Sequence, residues 1–213
     1  MIELSHVTKI LRGKRVLDDI SCTFEEGKVY GLMGINGAGK TMLMRTVCGL
    51  ILPTSGSVIV DGKAIGGKES FPQSIGALIE NPSFIGSYSG KENLCLLAQI
   101  QNNISATTIS ETLCKVGLDP NDRRKYRKYS LGMKQRLGIA AAIMESPRIV
   151  ILDEPLNALD EDGVVRIHRI VEELKEKGTT VILSCHDKDV LFCMSDIVHK
   201  MENGRITKFN WEG

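Results

Sequence analysis

The chain has 213 residues, with 27 basic and 26 acidic side chains and 42% hydrophobic residues. That length suits one domain with a sizeable core, and a net charge of +1 exerts no global pull toward nucleic acid or an anionic membrane. No apolar run approaches the roughly 20 residues needed to span a bilayer, and Met1-Ile2-Glu3-Leu4 does not open a secretory signal. A cytosolic protein, or one held at a membrane through other subunits, is expected.

Six cysteines, at 22, 48, 95, 114, 185 and 193, form no Cys-x-x-Cys pair. Most sit in apolar patterns, where cysteine acts as a small hydrophobe, and all six are read as structural in a reducing compartment.

The first 30 residues read as short strands: Ile2–Val7, a break at Arg12-Gly13-Lys14, Val16–Phe24, and a turn at Glu25-Glu26-Gly27-Lys28. Another strand pair is expected around Gly56–Val60, closed by Asp61-Gly62, and together these segments would form a small antiparallel sheet beside the main core. Val29–Met33 is a buried strand that leads into a glycine-rich loop and then a helix through about Cys48. Ile75–Ile79 is another short strand. From Lys91 to Met144 the pattern is helical, with apolar positions at Leu94, Leu97, Ile100, Ile109, Leu113 and Val116. Arg148–Asp153 and Thr179–Ser184 return to buried strands. Between them Val164, Ile167, Val171 and Leu174 form one face of a helix with the acids Asp160–Asp162 at its start. Short apolar strands alternating with helices predict an α/β fold with a mostly parallel sheet. A single domain over 1–213 is expected, with the helical stretch at about 88–146 inserted into it.

Gly34-Ile35-Asn36-Gly37-Ala38-Gly39-Lys40-Thr41 matches G-x-x-x-x-G-K-[ST] in full, between a predicted strand and a predicted helix. Such a loop turns its N–H groups toward phosphate oxygens at the positive end of the following helix. The nucleotide-binding set therefore runs through Gly34, Asn36, Gly37, Ala38, Gly39, Lys40, Thr41 and Met42. Lys40 would reach the β- and γ-phosphates, and the Thr41 hydroxyl would ligate Mg²⁺. The strand Ile149–Leu152 ends in Asp153 and Glu154. Two acids ending a buried strand need a partner, and Mg²⁺ on Asp153 supplies one. Glu154 is then placed to deprotonate an attacking water.

A third motif follows the same order. Tyr129-Ser130-Leu131-Gly132-Met133, continued by Lys134-Gln135-Arg136, resembles the signature segment of ABC-type ATPases, about twenty residues before the acidic strand. Asn157-Ala158-Leu159-Asp160 resembles the D-loop of that family, and His186 matches its switch histidine. The resemblance covers essentially the whole chain. It implies a P-loop NTPase core with ATP and Mg²⁺ as cofactors and ATP hydrolysis as the activity, with Lys40, Glu154 and His186 as catalytic residues. Two chains, head to tail and identical or not, would enclose two nucleotides, with Ser130 and Gly132 of one reaching the γ-phosphate on the other. His186 would bridge the γ-phosphate and the water. His6, His168 and His199 have no such context and are read as structural.

Three departures stand out. Leu131 and Met133 replace the usual glycine and glutamine of the signature. The aromatic that usually stacks on adenine would fall near Ile10 or Leu11, and neither is aromatic. Ile75-Gly76-Ala77-Leu78-Ile79-Glu80 aligns with the strand that normally ends in the Q-loop glutamine, so Glu80 enters both the nucleotide-binding and the metal set. The run Ile75–Pro82 looks like the branch handling bacitracin-like and lantibiotic peptides.

The run Arg123-Arg124-Lys125-Tyr126-Arg127-Lys128 contains five bases and one aromatic. Phosphate pairing and base stacking would suit nucleic acid. With net charge +1 and no second basic patch, a solvated approach to the signature helix is the preferred reading. The resemblance thus implies the ATPase subunit of a membrane transporter, peripheral on the inner face of the cell membrane, with separate membrane-spanning permease subunits as partners and no nucleic acid. The alternative is a soluble relative in translation or DNA repair. Translation relatives usually carry two cassettes, repair relatives carry coiled-coil or zinc-bearing insertions, and this chain shows neither. A regulator that binds nucleotide without hydrolysing it is disfavoured by Glu154 and His186.

Overall fold

The computed structural model describes residues 1–67, 71–101 and 104–209. Ile2–Leu11 (β1) and Lys14–Phe24 (β2) form an antiparallel hairpin. β1 also pairs with Ser55–Val60 (β4), which pairs with Lys63–Ala64 (β5), so this sheet runs β2-β1-β4-β5. Ile2, Leu4, Val7, Leu17, Ile20, Phe24, Val58 and Val60 are buried from it. An antiparallel sheet with one face on the core and one toward solvent accounts for that spacing.

The second sheet holds Val29–Met33 (β3), Ile75–Leu78 (β6), Ile149–Leu152 (β7), Thr180–Ser184 (β8), Ile197–Glu202 (β9) and Arg205–Phe209 (β10), in the order β10-β9-β3-β8-β7-β6. All its pairings are parallel except β9–β10. Every residue of β3, β7 and β8 is buried. Near-continuous apolar runs are what two covered faces require. The period of two divides them between two cores: Val150 and Leu152 of β7 pack with one, Ile149 and Ile151 with the other.

The helices are Lys40–Val47 (α1), Gly90–Gln101 (α2), Ala106–Lys115 (α3), Leu131–Ile143 (α4), Glu161–Glu176 (α5) and Lys188–Met194 (α6). One core gathers Leu94 of α2, Leu113 of α3, Leu137 of α4 and Ile167 of α5 on one face of the parallel sheet. The other joins the antiparallel sheet to α1 through Leu43, Met44 and Val47. Each such side chain contributes about 1.5–3 kcal/mol by leaving water.

The predicted helical stretch Lys91–Met144 resolves into α2, α3, a 3-10 turn at Tyr126–Lys128 and α4, and residues 102–103 within it lie outside the described residues. Gly117, at φ 80°, stops α3. The Leu118 N–H returns to the Leu113 carbonyl at 2.8 Å and that of Gly117 to Cys114 at 3.0 Å, the glycine-ended stop that a left-handed residue permits. α6, β9 and β10 were not among the expected elements. The six cysteines are free thiols, with Cys114 and Cys193 exposed rather than packed in an apolar pattern.

Candidate nucleotide site

β3 delivers the chain to Gly34, and the loop closes through the Ala38 N–H donating to the Ile35 carbonyl at 3.1 Å. Gly39, at φ 110°, caps α1. A side chain there would bring Cβ within 2.9 Å of the Val16 carbonyl, so both the turn and the packing require glycine. No side chain among the described residues caps α1. Its first-turn N–H groups, at Lys40, Thr41 and Met42, have no intrahelical acceptor and carry the positive end of the helix. The buried Lys40 ammonium donates to the Gly34 carbonyl at 2.6 Å and lies 3.4 Å from that of Ile35, so it is held over the loop.

Asp153 closes the other side. The Thr41 hydroxyl donates to its Oδ2 at 2.6 Å, and the Ser184 hydroxyl donates to its Oδ1 at 2.7 Å. Thr41 and Asp153 form an all-oxygen donor set side by side, which fits Mg²⁺. That ion takes one or two protein oxygens and fills the rest of its shell with water and phosphate. Among the described residues no group of three or more His, Cys, Asp or Glu gathers to hold a metal alone.

Glu154 follows at φ 51°, and its N–H donates to the Ser184 hydroxyl at 2.9 Å. Its carboxylate Oε1 stands 3.3 Å from His186 Nε2. Burial pushes the Glu154 pKa up; His186 and Lys40 pull it down, and Asp153 adds to the rise. A carboxylate so placed binds a proton more readily than one in water, which suits a general base.

The loop, Asp153, Glu154 and His186 line one cleft of about 330 Å³, together with Lys14 and Val16. Ile10 and Leu11 are exposed and do not line it. Nor do Ser130 and Gly132. Ser130 starts α4 as an N-cap, its hydroxyl accepting from the Met133 N–H, and Leu131 beside it is 73% exposed. Glu80 pairs with Arg45 of α1 at 2.8 Å. A larger groove of about 500 Å³ lies between α3 and the ends of α4 and α5. It holds no phosphate loop and no paired acids, so the smaller cleft is the chemical one.

Sequence reading gave no role to two residues. Ser184 bonds both Asp153 and the Glu154 backbone, and a hydroxyl at the end of a buried strand was its visible signal. Gln135 donates to the Glu154 carbonyl at 3.0 Å, and its mark was a polar residue on the buried face of a helix.

A parallel sheet, a phosphate loop on a helix N-terminus and an acid-ended neighbouring strand define a P-loop NTPase. The model of the family described as ABC transporter matches residues 17–157. An uncharacterized ABC transporter ATP-binding protein of Bacillus subtilis (strain 168) is 45% identical over 97% of this chain and 94% of its own length. The bacitracin transport ATP-binding protein of Enterococcus faecalis is 38% identical over 98% of this chain and 68% of its own. A solved dimeric bacterial ABC transporter cassette superposes with a TM-score of 0.90 at 23% identity, covering all of both chains. The chain belongs to the ABC transporter family, as its ATP-binding and ATP-hydrolysing cassette.

Proposed function

We propose that this cassette, one domain over 1–213 with its helical part at about 88–146, drives export of or immunity to antimicrobial peptides through separate membrane-spanning subunits. The observation that carries the hydrolytic part is the convergence of Lys40, Thr41, Asp153, Glu154 and His186 on one cleft. The bacitracin relative and the acidic Glu80 support the peptide substrate.

The N–H groups from Gly34 to Met42 would hold the phosphates of ATP, with Lys40 reaching the γ-phosphate. Thr41 and Asp153 would hold Mg²⁺, which when bound would supply positive charge against the phosphates. Glu154 takes the proton of the attacking water, and His186, beside its carboxylate, steadies the charge that develops on the γ-phosphate. Ser130 and Gly132, outside the cleft of their own chain, complete the site of a second subunit placed head to tail, identical or not. Among the described residues no helix is long and apolar enough to cross a membrane, and the membrane subunits, docked near Glu80, hold the cassette at the inner face. Glu80, already paired with Arg45, acts chiefly toward those subunits and only secondarily toward the metal.

Expression with the membrane subunits in a peptide-sensitive host tests this reading. Resistance to bacitracin-class peptides that disappears in Lys40→Ala supports it. Equal sensitivity with and without the chain overturns the peptide assignment and leaves the ATPase assignment intact.

A further inference from the structure

α4 does more than present Ser130. Gly132, Gln135 and Arg136, at positions i, i+3 and i+4, lie on one face of that helix, and each meets the segment between β7 and α5. A Cβ on Gly132 would stand 2.7 Å from the Ala158 carbonyl. Arg136 Nη2 donates to Asp160 Oδ1 at 2.6 Å, and that carboxylate also accepts from the Gly163 N–H at the start of α5. Gln135 is buried, and its side-chain amide donates to the Glu154 carbonyl.

Glu154 is the residue in this segment with the most to lose. Its φ of 51° is a left-handed conformation that a side chain adopts only where the surroundings hold it. Two side chains do so from opposite sides: Ser184 of β8 on the N–H, and Gln135 of α4 on the carbonyl. The Asn157 N–H reaches the same carbonyl less closely, at 3.3 Å. With both ends of the residue fixed, so is the direction in which its carboxylate leaves the backbone. One of the two anchors belongs to the helix that opens with the signature segment.

We propose that Gln135 is a positioning residue for hydrolysis, carrying the seating of α4 to the backbone of Glu154 and so setting where the catalytic carboxylate stands. Engagement of Ser130 and Gly132 by a nucleotide on the second subunit then reaches the base of the same chain through one helix face, without passing through the sheet. This rests on Glu154 being the general base.

The test uses the full chain with Gln135→Met, which keeps the side chain's length and removes its donor. ATP affinity by calorimetry is expected to stay at the wild-type level, because Gln135 does not line the cleft, and the variant is expected to melt cooperatively at a modestly lower temperature, as one buried hydrogen bond is lost. The kcat is expected to fall about tenfold with KM unchanged, the scale of one lost hydrogen bond felt at the transition state. A filler role for Gln135 does not lower kcat. Wild-type kcat in a folded variant overturns the proposal, as does a loss that falls on KM with kcat unchanged. If Gln135→Met does not fold, Gln135→Glu, which sets a carboxylate oxygen against the carbonyl, carries the same test, read as kcat against KM. Glu154→Gln is measured alongside: turnover surviving there overturns the base assignment, whereas its loss together with wild-type behaviour in the Gln135 variants overturns the positioning role alone.

Discussion

Glu80 shows how much one carboxylate can separate. It sits at φ 60° just beyond β6, paired with Arg45, while Thr41 and Asp153 already meet each other at 2.6 Å. The Glu80 side chain is 58% exposed, and a pair in that setting contributes only about 0–1 kcal/mol. Glu80→Gln is therefore expected to leave ATP hydrolysis by the isolated cassette within about twofold of wild type while peptide resistance through the membrane subunits falls. Measured side by side, a changed Mg²⁺ dependence in the isolated cassette would instead make Glu80 a metal ligand. The base of the nucleotide poses a second single-residue question. Leu11 is partly exposed, and the cleft is bounded on that side by Lys14 and Val16. An aromatic stack is worth on the order of 1–3 kcal/mol, so Leu11→Tyr is expected to tighten ATP binding in a calorimetric titration. No gain would mean that the base rests against the Val16 side instead.

At the scale of elements, β9 seats His199 with its ring parallel to Tyr30 at 5.9 Å and edge-on to Phe24 at 5.8 Å. Burial holds its pKa below the ordinary histidine value, and Lys208, its cross-strand neighbour, lowers it further. The folded protein therefore keeps the ring neutral while the unfolded chain takes up a proton below about pH 6.5. Because the unfolded state binds more protons there, stability is full above that pH and falls as pH drops through it. His199→Phe should flatten the fall in melting temperature between about pH 7 and 5; an unchanged slope would place the acid sensitivity elsewhere. β9 and β10 also mark where sequence reading ran out. Asn203-Gly204 between them is a hairpin signal, but Ile197–Glu202 mixes apolar with charged residues and does not read as a core strand. β3, β7 and β8 were legible because both faces are covered and every residue is apolar or small. The phosphate loop, Asp153 and Glu154 were legible because their chemistry demands particular residue types at particular spacings, whereas His186 could be named only through the family resemblance. Ser184 and Gln135 were not, since their roles depend on contacts 30 and 19 positions away in sequence.

For the whole molecule, the same geometry predicts assembly. One cleft gathers the loop, the acids and His186, while Ser130 and Leu131 stand exposed at the start of α4. A nucleotide held by one chain and covered by the signature of another would join the two for as long as it remains intact. Removing the base should therefore lengthen the life of the dimer as it slows the chemistry. The most direct measurement is hydrolysis and size-exclusion chromatography of Glu154→Gln with ATP and Mg²⁺. The variant is expected to bind ATP, to hydrolyse it roughly a hundredfold or more slowly, and to elute as a dimer where wild type returns to monomer. A monomeric Glu154→Gln with wild-type turnover would contradict the account.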